Sequence, residues 1–476
     1  MRNYAIVSLL VVASCGYNPH QNYPDLPDGN ATATGGQQSE NSSSTNVGGA
    51  TGGQGGNPSS ASAGGSTVSP ERAIDILFMI DNSPSMDPKQ TALANNFPNM
   101  IAALQTLPGG LPDVHIGVVS SNMGAGNGAM GGNCGNGLGD RGLLWGNDPT
   151  DMTASVADGS PYATDPNHPL IASGCGLNVG QRWIEDTQDP NNPGRIRNYT
   201  TANNLQLQDV FSCLAKAVGV AGCGEEHQLQ ATRVALIPQP SINTANNGFL
   251  RSNAYLAIVL ITDEDDCSAN NDNGQNDDMF DMVTKRDVGD TTSLRCAARG
   301  HLCGGQPIST YAPSIGYTGT AAFSHPFSDC TAKSQKSPAD YAYMPLIDVQ
   351  DMIDSVQWVK GSAWAQKILV SGIIGWPPGA NDTNLPANLQ TNPNYRIDRD
   401  ATSLPASQAT LWDYMPICSI PDQKSADGNI YKAYGGLRLK KFIDAFGSNG
   451  EVFSICNSDF TNPMTRIGNT IVQALK

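Results

Sequence analysis

Residues 73–80 (AIDILFMI) form a mostly apolar run with polar residues on either side, the pattern of a strand buried on both faces of a parallel sheet. From Pro88 to Leu107 the period changes. Leu93, Phe97, Met100, Ile101 and Leu104 recur at helical spacing and predict an amphipathic helix. A second strand is predicted at 114–120 (VHIGVVS), helices at 205–218 and 225–236, and a second strongly apolar strand at 255–262 (YLAIVLIT). Further on come a buried strand at 366–374, a helix at 436–446, a strand at 451–456 (EVFSIC) and a closing helix at 462–475. Strands that alternate with helices predict a doubly wound α/β sheet, mainly parallel.

Between these elements lie stretches without clear period. Residues 122–200 are rich in Gly, Asn and Asp and read as an irregular insertion around a short strand. Segments 267–354 and 376–426 read as two more insertions. No internal repeat and no second core is evident, so 71–476 is expected to be one decorated domain. Residues 16–70 differ in kind: the stretch 35–65 is almost entirely Gly, Ser, Asn, Gln, Thr and Ala, which cannot bury enough surface to offset chain entropy. Such a coil would reach roughly 40 Å r.m.s. and act as a tether (15–70).

The first fourteen residues pair a basic Arg2 with a short apolar run, 5–13, and end in Ala13-Ser14 before Cys15. That run is too short for the ~20 residues that span a bilayer, so an export signal is favoured over an anchor helix. The Ala-Ser-Cys ending resembles the bacterial lipobox, in which the Cys is acylated. By that resemblance 1–14 is a lipoprotein signal peptide and Cys15 the lipid anchor. Gly16 after it implies sorting to the outer membrane.

Composition narrows the chemistry. The net charge of -16 disfavours nucleic acid and anionic lipid as partners. With Cys15 set aside, ten of the eleven cysteines remain: Cys134, Cys175, Cys213, Cys223, Cys267, Cys296, Cys303, Cys330, Cys418 and Cys456. An even number in an exported chain predicts five disulfides of undetermined connectivity, and no C-x-x-C spacing points to zinc. Six histidines occur without a His-Glu-x-x-His pair, and neither a Gly-x-Ser-x-Gly elbow nor a Gly-Lys-Ser/Thr phosphate loop is present. His115 is expected to be a packed or surface residue of its strand, and His227 to face solvent. The run 270–278 (NNDNGQNDD) fails as an EF-hand, because Ala269 and Phe280 would fall where Asp and Glu are needed.

Ligands of open α/β sheets bind at the carboxyl ends of the strands. The first strand runs into Asp81-Asn82-Ser83-Pro84-Ser85, and the 255–262 strand into Asp263-Glu264-Asp265-Asp266. One carboxylate and two hydroxyls in a tight loop, joined by a second carboxylate, suit a hard cation such as Mg²⁺, Mn²⁺ or Ca²⁺. The competing view is that Ser83 and Ser85 merely cap the following helix.

Strand–DxSxS–helix followed downstream by strand–Thr-Asp resembles the metal-ion-dependent adhesion site of von Willebrand factor A (vWA) domains, in element order over nearly all of 72–476. The lipobox, the Gly/Ser tether, FSCLAKAVGVAGCGEE and ITDEDDC together look like vWA lipoproteins of myxobacteria and their relatives. The resemblance implies a six-stranded, mainly parallel sheet, and a cation held by Asp81, Ser83, Ser85 and Asp263 that accepts a carboxylate from a partner protein. It also implies a Thr between the motifs. The position that aligns falls in 219–224 (GVAGCG), which has none, so Glu226, Glu225, Thr200 or Thr201 would have to supply that oxygen. The expectation is therefore a surface-tethered, non-enzymatic adhesion or assembly module. The alternatives are a structural envelope lipoprotein with an empty metal site and, less favoured, an exported metal-dependent hydrolase.

Overall fold

The computed structural model describes residues 72–124, 139–148, 173–200, 204–237, 244–269, 296–297, 299–307, 324–326, 329–333, 346–377, 396–398, 413–414, 416–426 and 428–476. The signal peptide, the tether, Cys15, Cys134, Thr201 and the acidic run 270–278 lie outside the described residues.

The central sheet is built from β1 (Ala73–Ile80), β2 (Asp113–Ser120), β3 (Ile184–Gln188), β4 (Arg195–Arg197), β5 (Tyr255–Ile261), β6 (Ile368–Ile374) and β7 (Gly450–Ser454). Their spatial order is β7-β6-β5-β1-β2-β3-β4. The first five in that order pair in parallel, whereas β2–β3 and β3–β4 are antiparallel. The chain is thus α/β with a mainly parallel sheet, which among the described residues has seven strands rather than six. The difference lies in the 122–200 segment, which folds part of itself into the β3–β4 hairpin and adds it to the sheet beyond β2. Asp186 on β3, almost fully buried, pins that hairpin by accepting from Tyr199 Oη at 2.7 Å, Arg197 Nε at 3.1 Å and Arg195 Nε.

Alternation along β1 assigns its side chains to two layers. Ile74, Ile76, Phe78 and Ile80 pack toward α1 (Asp87–Leu104), α2 (Leu207–Ala217) and α6 (Thr461–Ala474). Leu77 and Met79 pack toward α3 (Gln228–Leu236), α4 (Val349–Trp358) and α5 (Leu437–Asp444). Phe97 of α1 stacks on Phe211 of α2 with centroids 3.7 Å apart, beneath Phe78. Pro98 sits inside α1 and has no N–H to offer Ala94 O; Ser212 Oγ of α2 donates to that carbonyl instead, at 2.8 Å. The gap in one helix becomes its bond to the next.

Helix α4 begins inside the segment expected to be an insertion. Val349, Met352, Ile353 and Val356 are its buried stripe, and it lies in the chain between β5 and β6, as a crossover helix should. No helix among the described residues is long and apolar enough to cross a membrane.

Four disulfides are described: Cys175–Cys213, Cys267–Cys296, Cys303–Cys330 and Cys418–Cys456. Cys223 is disulfide-bonded as well. The last of the four clips a β-hairpin, Cys418–Lys424 with Ile430–Ala433, to the loop beyond β7.

Candidate functional site

Strand order reverses direction at β1, whose neighbours β2 and β5 leave on opposite sides. A crevice therefore opens at the carboxyl ends of β1 and β5, the topological switch point where open α/β sheets bind ligands. Asp81 extends the ladder by one bond, its N–H donating to Ile261 O at 2.9 Å. The chain then turns through a short 3₁₀ segment, Pro84–Met86, into α1. That turn folds the serines back over the strand ends.

Asp81 is fully buried. Its Oδ1 accepts from Ser83 N at 2.8 Å and Ser121 Oγ at 3.4 Å, and its Oδ2 from Thr262 Oγ1 at 2.7 Å. Thr262 Oγ1 in turn accepts from Gln228 Nε2 at 2.9 Å. Ser83 Oγ lies 3.0 Å from Ser85 Oγ, and Ser85 Oγ donates to Asp263 Oδ1 at 3.1 Å. The four residues singled out in the sequence are therefore one connected group. Neither serine caps a helix: no side-chain cap bond is made at Ser83 or at Met86, the N-cap of α1. Capping does not account for these hydroxyls.

Of the described residues weighed as a replacement for the Thr, Glu226 is the one that reaches the crevice. It is buried, near enough to Glu264 and Asp81 for their charges to raise its pKa. Glu225 turns elsewhere, placing Oε2 3.6 and 3.7 Å from the sulfurs of Cys267 and Cys296. Those sulfurs are bonded to each other, so the Glu/Cys/Cys group offers no pair of thiolates to a metal. Thr200 is exposed, and its amide is bonded to Gly176 O at 2.8 Å. At one position of the aligned loop, Gly222, a Thr is sterically excluded. Gly222 N donates to Asn82 O at 2.7 Å, and a Cβ at Gly222 would collide with the Asn82 side chain.

The electrostatics are unusual. Burial raises the pKa of Asp81 against its hydrogen bonds. Asp263 is pushed well above the usual range, first by burial and then by the charges of Asp81 and Glu264. Glu226 is likewise raised well above, by burial first and by Glu264 and Asp81 next. Oδ2 of Asp263 and both carboxylate oxygens of Glu226 are buried and make no close hydrogen bond, although Tyr431 stands near enough to Asp263, and Glu264 to Glu226, for a hydrogen bond to contribute to the raised pKa values. Buried carboxylates are ordinarily paired, hydrogen-bonded or bound to metal. An oxygen-only donor set of two serine hydroxyls and up to three carboxylates fits a hard divalent cation, whose charge would reverse these shifts.

Sequence reasoning missed several neighbours. Lys89 is fully buried, donates from Nζ to Asn457 O at 2.8 Å and lies 4.5 Å from the centroid of the Tyr431 ring. Burial lowers its pKa to about 7, with Asp263 acting in the opposite sense. Tyr431, on the clipped hairpin, is fully buried, and its phenol pKa is raised by burial and by the charge of Asp263. Thr262 and Ser121 come directly after their strands and were legible as hydroxyls at strand ends. Lys89 and Tyr431 had no comparable signal. His227, expected to face solvent, is wholly buried, with Nδ1 2.9 Å from Gln230 Oε1. His115 is packed, with Nδ1 2.8 Å from Phe249 O.

No protein-family model matches the chain, and no curated protein matches it.

Proposed function

We propose that the chain is a cation-dependent protein-binding module of the vWA type, carried on a lipid-anchored bacterial envelope protein. In this reading Asp81, Ser83, Ser85 and Asp263 hold a divalent cation, with Glu226 supplying the oxygen that the missing Thr would give. A carboxylate from a partner protein completes the shell, and binding serves adhesion or surface-complex assembly. The observation that carries it is the group of three buried carboxylates at the switch point, with Oδ2 of Asp263 and both oxygens of Glu226 making no close hydrogen bond. The lipobox at Cys15, the tether and the disulfides support an exported, anchored setting at the outer membrane.

The test is thermal unfolding of the disulfide-intact protein with and without Mg²⁺, Mn²⁺ and Ca²⁺. An ion at a hundred times its Kd stabilises the folded state by about 2.7 kcal/mol, a Tm rise of several degrees. The rise is expected in the wild type and absent in Asp81→Ala. Equal melting of both proteins with every ion would sink the proposal.

A second reading has its own support. Lys89 puts a buried ammonium beside Asp263 and offers the cluster an internal counter-charge. A structural envelope protein of the same fold would then need no metal, and no ion would shift its melting.

A further inference from the structure

The cation reading places an open coordination position at the mouth of the crevice, yet the mouth is largely covered, with only Ser85 and Glu264 partly exposed. The hairpin at Cys418–Lys424 and Ile430–Ala433 lies across it. Just past its first strand, Ala426 N donates to Pro84 O at 2.9 Å, bonding it to the loop that bears Ser83 and Ser85. Just past its second strand, Tyr434 N donates to Asp263 O at 2.6 Å. Between these two ties Tyr431 points inward: it is wholly buried, stands over Lys89, and its hydroxyl lies close enough to Asp263 for that carboxylate's charge and hydrogen bonding to raise its pKa. Behind the second tie, Gly375 has no room for a Cβ because Tyr434 O occupies that space, so the strand end and the hairpin exit are in close contact.

We infer that this hairpin is an intramolecular occupant of the cation site, with Tyr431 seated over the carboxylates where a partner's side chain would otherwise enter. The inference rests on the cation reading and adds a gate to it. With the hairpin down, Asp81, Asp263 and Glu226 are each buried, and only Ser85 and Glu264 at the rim keep partial exposure, so the way for an arriving carboxylate is narrowed. Partner binding then requires the hairpin to lift. Its base is held by Cys418–Cys456, so lifting means breaking the two backbone ties and withdrawing Tyr431 about a fixed clip. The cover is part of the affinity for any partner, because the binding-competent population scales the apparent Kd.

Terbium(III), a hard cation of oxygen sites, is the probe, with luminescence lifetimes of the full disulfide-intact protein measured in H₂O and D₂O under direct excitation of the lanthanide. The lifetime difference counts bound waters. A covered site should hold about one or fewer, and an open site, with solvent filling the positions the protein leaves, about two or more. Tyr431→Ala should add water and speed terbium release roughly tenfold, whereas Tyr431→Phe, which keeps the ring, should stay near wild type in both. Cys418→Ser/Cys456→Ser frees the clip by an independent route and should also add water, which guards against a Tyr431→Ala chain that fails to fold. Two or more waters in the wild type would overturn the inference, as would unchanged lifetimes in both opened proteins. Terbium bound no better by wild type than by Asp81→Ala would remove the cation reading itself, a result distinguishable from a bound but fully hydrated ion.

Discussion

The hydroxyl of Thr262, at the end of β5, donates to Oδ2 of Asp81, at the end of β1, across 2.7 Å. One bond thus ties together the two strands that flank the switch point, and it holds the carboxylate whose Oδ1 is already taken by Ser83 N. The contact fixes the carboxylate's position and favours its charged form against the burial that raises its pKa.

Replacing Thr262 with Val keeps the shape and removes the donor. Asp81 is wholly buried, so the variant should lose about 1–3 kcal/mol, the range for an orphaned buried acceptor. Urea unfolding at neutral pH reads this directly, and a change below about 0.5 kcal/mol would show that the bond does not hold the site.

His115 gives a pH signature. Burial, and after it the Arg251 charge, lowers its pKa to about 4 from 6.5. The unfolded chain therefore binds a proton on this ring between about pH 6.5 and 4 while the folded chain does not, so stability falls as pH drops through that window. The full loss is reached below about 4 and amounts to roughly 3 kcal/mol. Its neighbour Asp75, whose pKa burial raises, works in the opposite direction. The quantity to compare is therefore wild type against His115→Gln at pH 7 and near 4.5. The variant should show the flatter acid limb; parallel limbs would contradict the assignment.

Cys418–Cys456 spans 38 residues of sequence. Chain-entropy arguments assign about 4 kcal/mol to closing a loop of that size. Cys418→Ser/Cys456→Ser should lower unfolding free energy by an amount of that order, and a non-reducing digest of the native protein should yield the linked peptide. Linkage of either cysteine to another partner would break both statements.

Gly222→Ala drives a methyl group into the Asn82 amide beside Asp81. Overpacking of this kind costs about 1–3 kcal/mol. It should also weaken any cation effect on melting, because the DxSxS loop must shift to make room. Melting and cation response equal to wild type would mean that the loop carrying Gly222 yields instead.

Much of the fold and half of the site were legible in the residue pattern. β1 and β5 are buried on both faces, so they read as unbroken apolar runs, and their ends carried the two carboxylate loops. The extra strands were harder, because β4 is only Arg195–Arg197, too short and too charged to show a period. Helix α4 had the signal, with Val349, Met352, Ile353 and Val356 at i, i+3, i+4 and i+7, but it was submerged in a segment dominated by polar residues and cysteines. Lys89 and Tyr431 meet only through tertiary docking of the clipped hairpin, and no local spacing encodes that. The choice of Glu226 over Glu225 turned on which carboxylate faces a disulfide, again a question of packing.

The β3–β4 hairpin has a meaning beyond the count of strands. A long, flat, apolar terminal strand would offer its bare amides and carbonyls to any neighbouring chain. Among the described residues the sheet stops on that side in three residues whose one apolar side chain, Ile196, is flanked by Arg195 and Arg197. Both guanidinium groups are anchored on Asp186 and so remain at the border. A second molecule approaching edge-on meets positive charge and too few backbone groups to pair with. The hairpin protects the β2 side of the sheet against fibrous self-association.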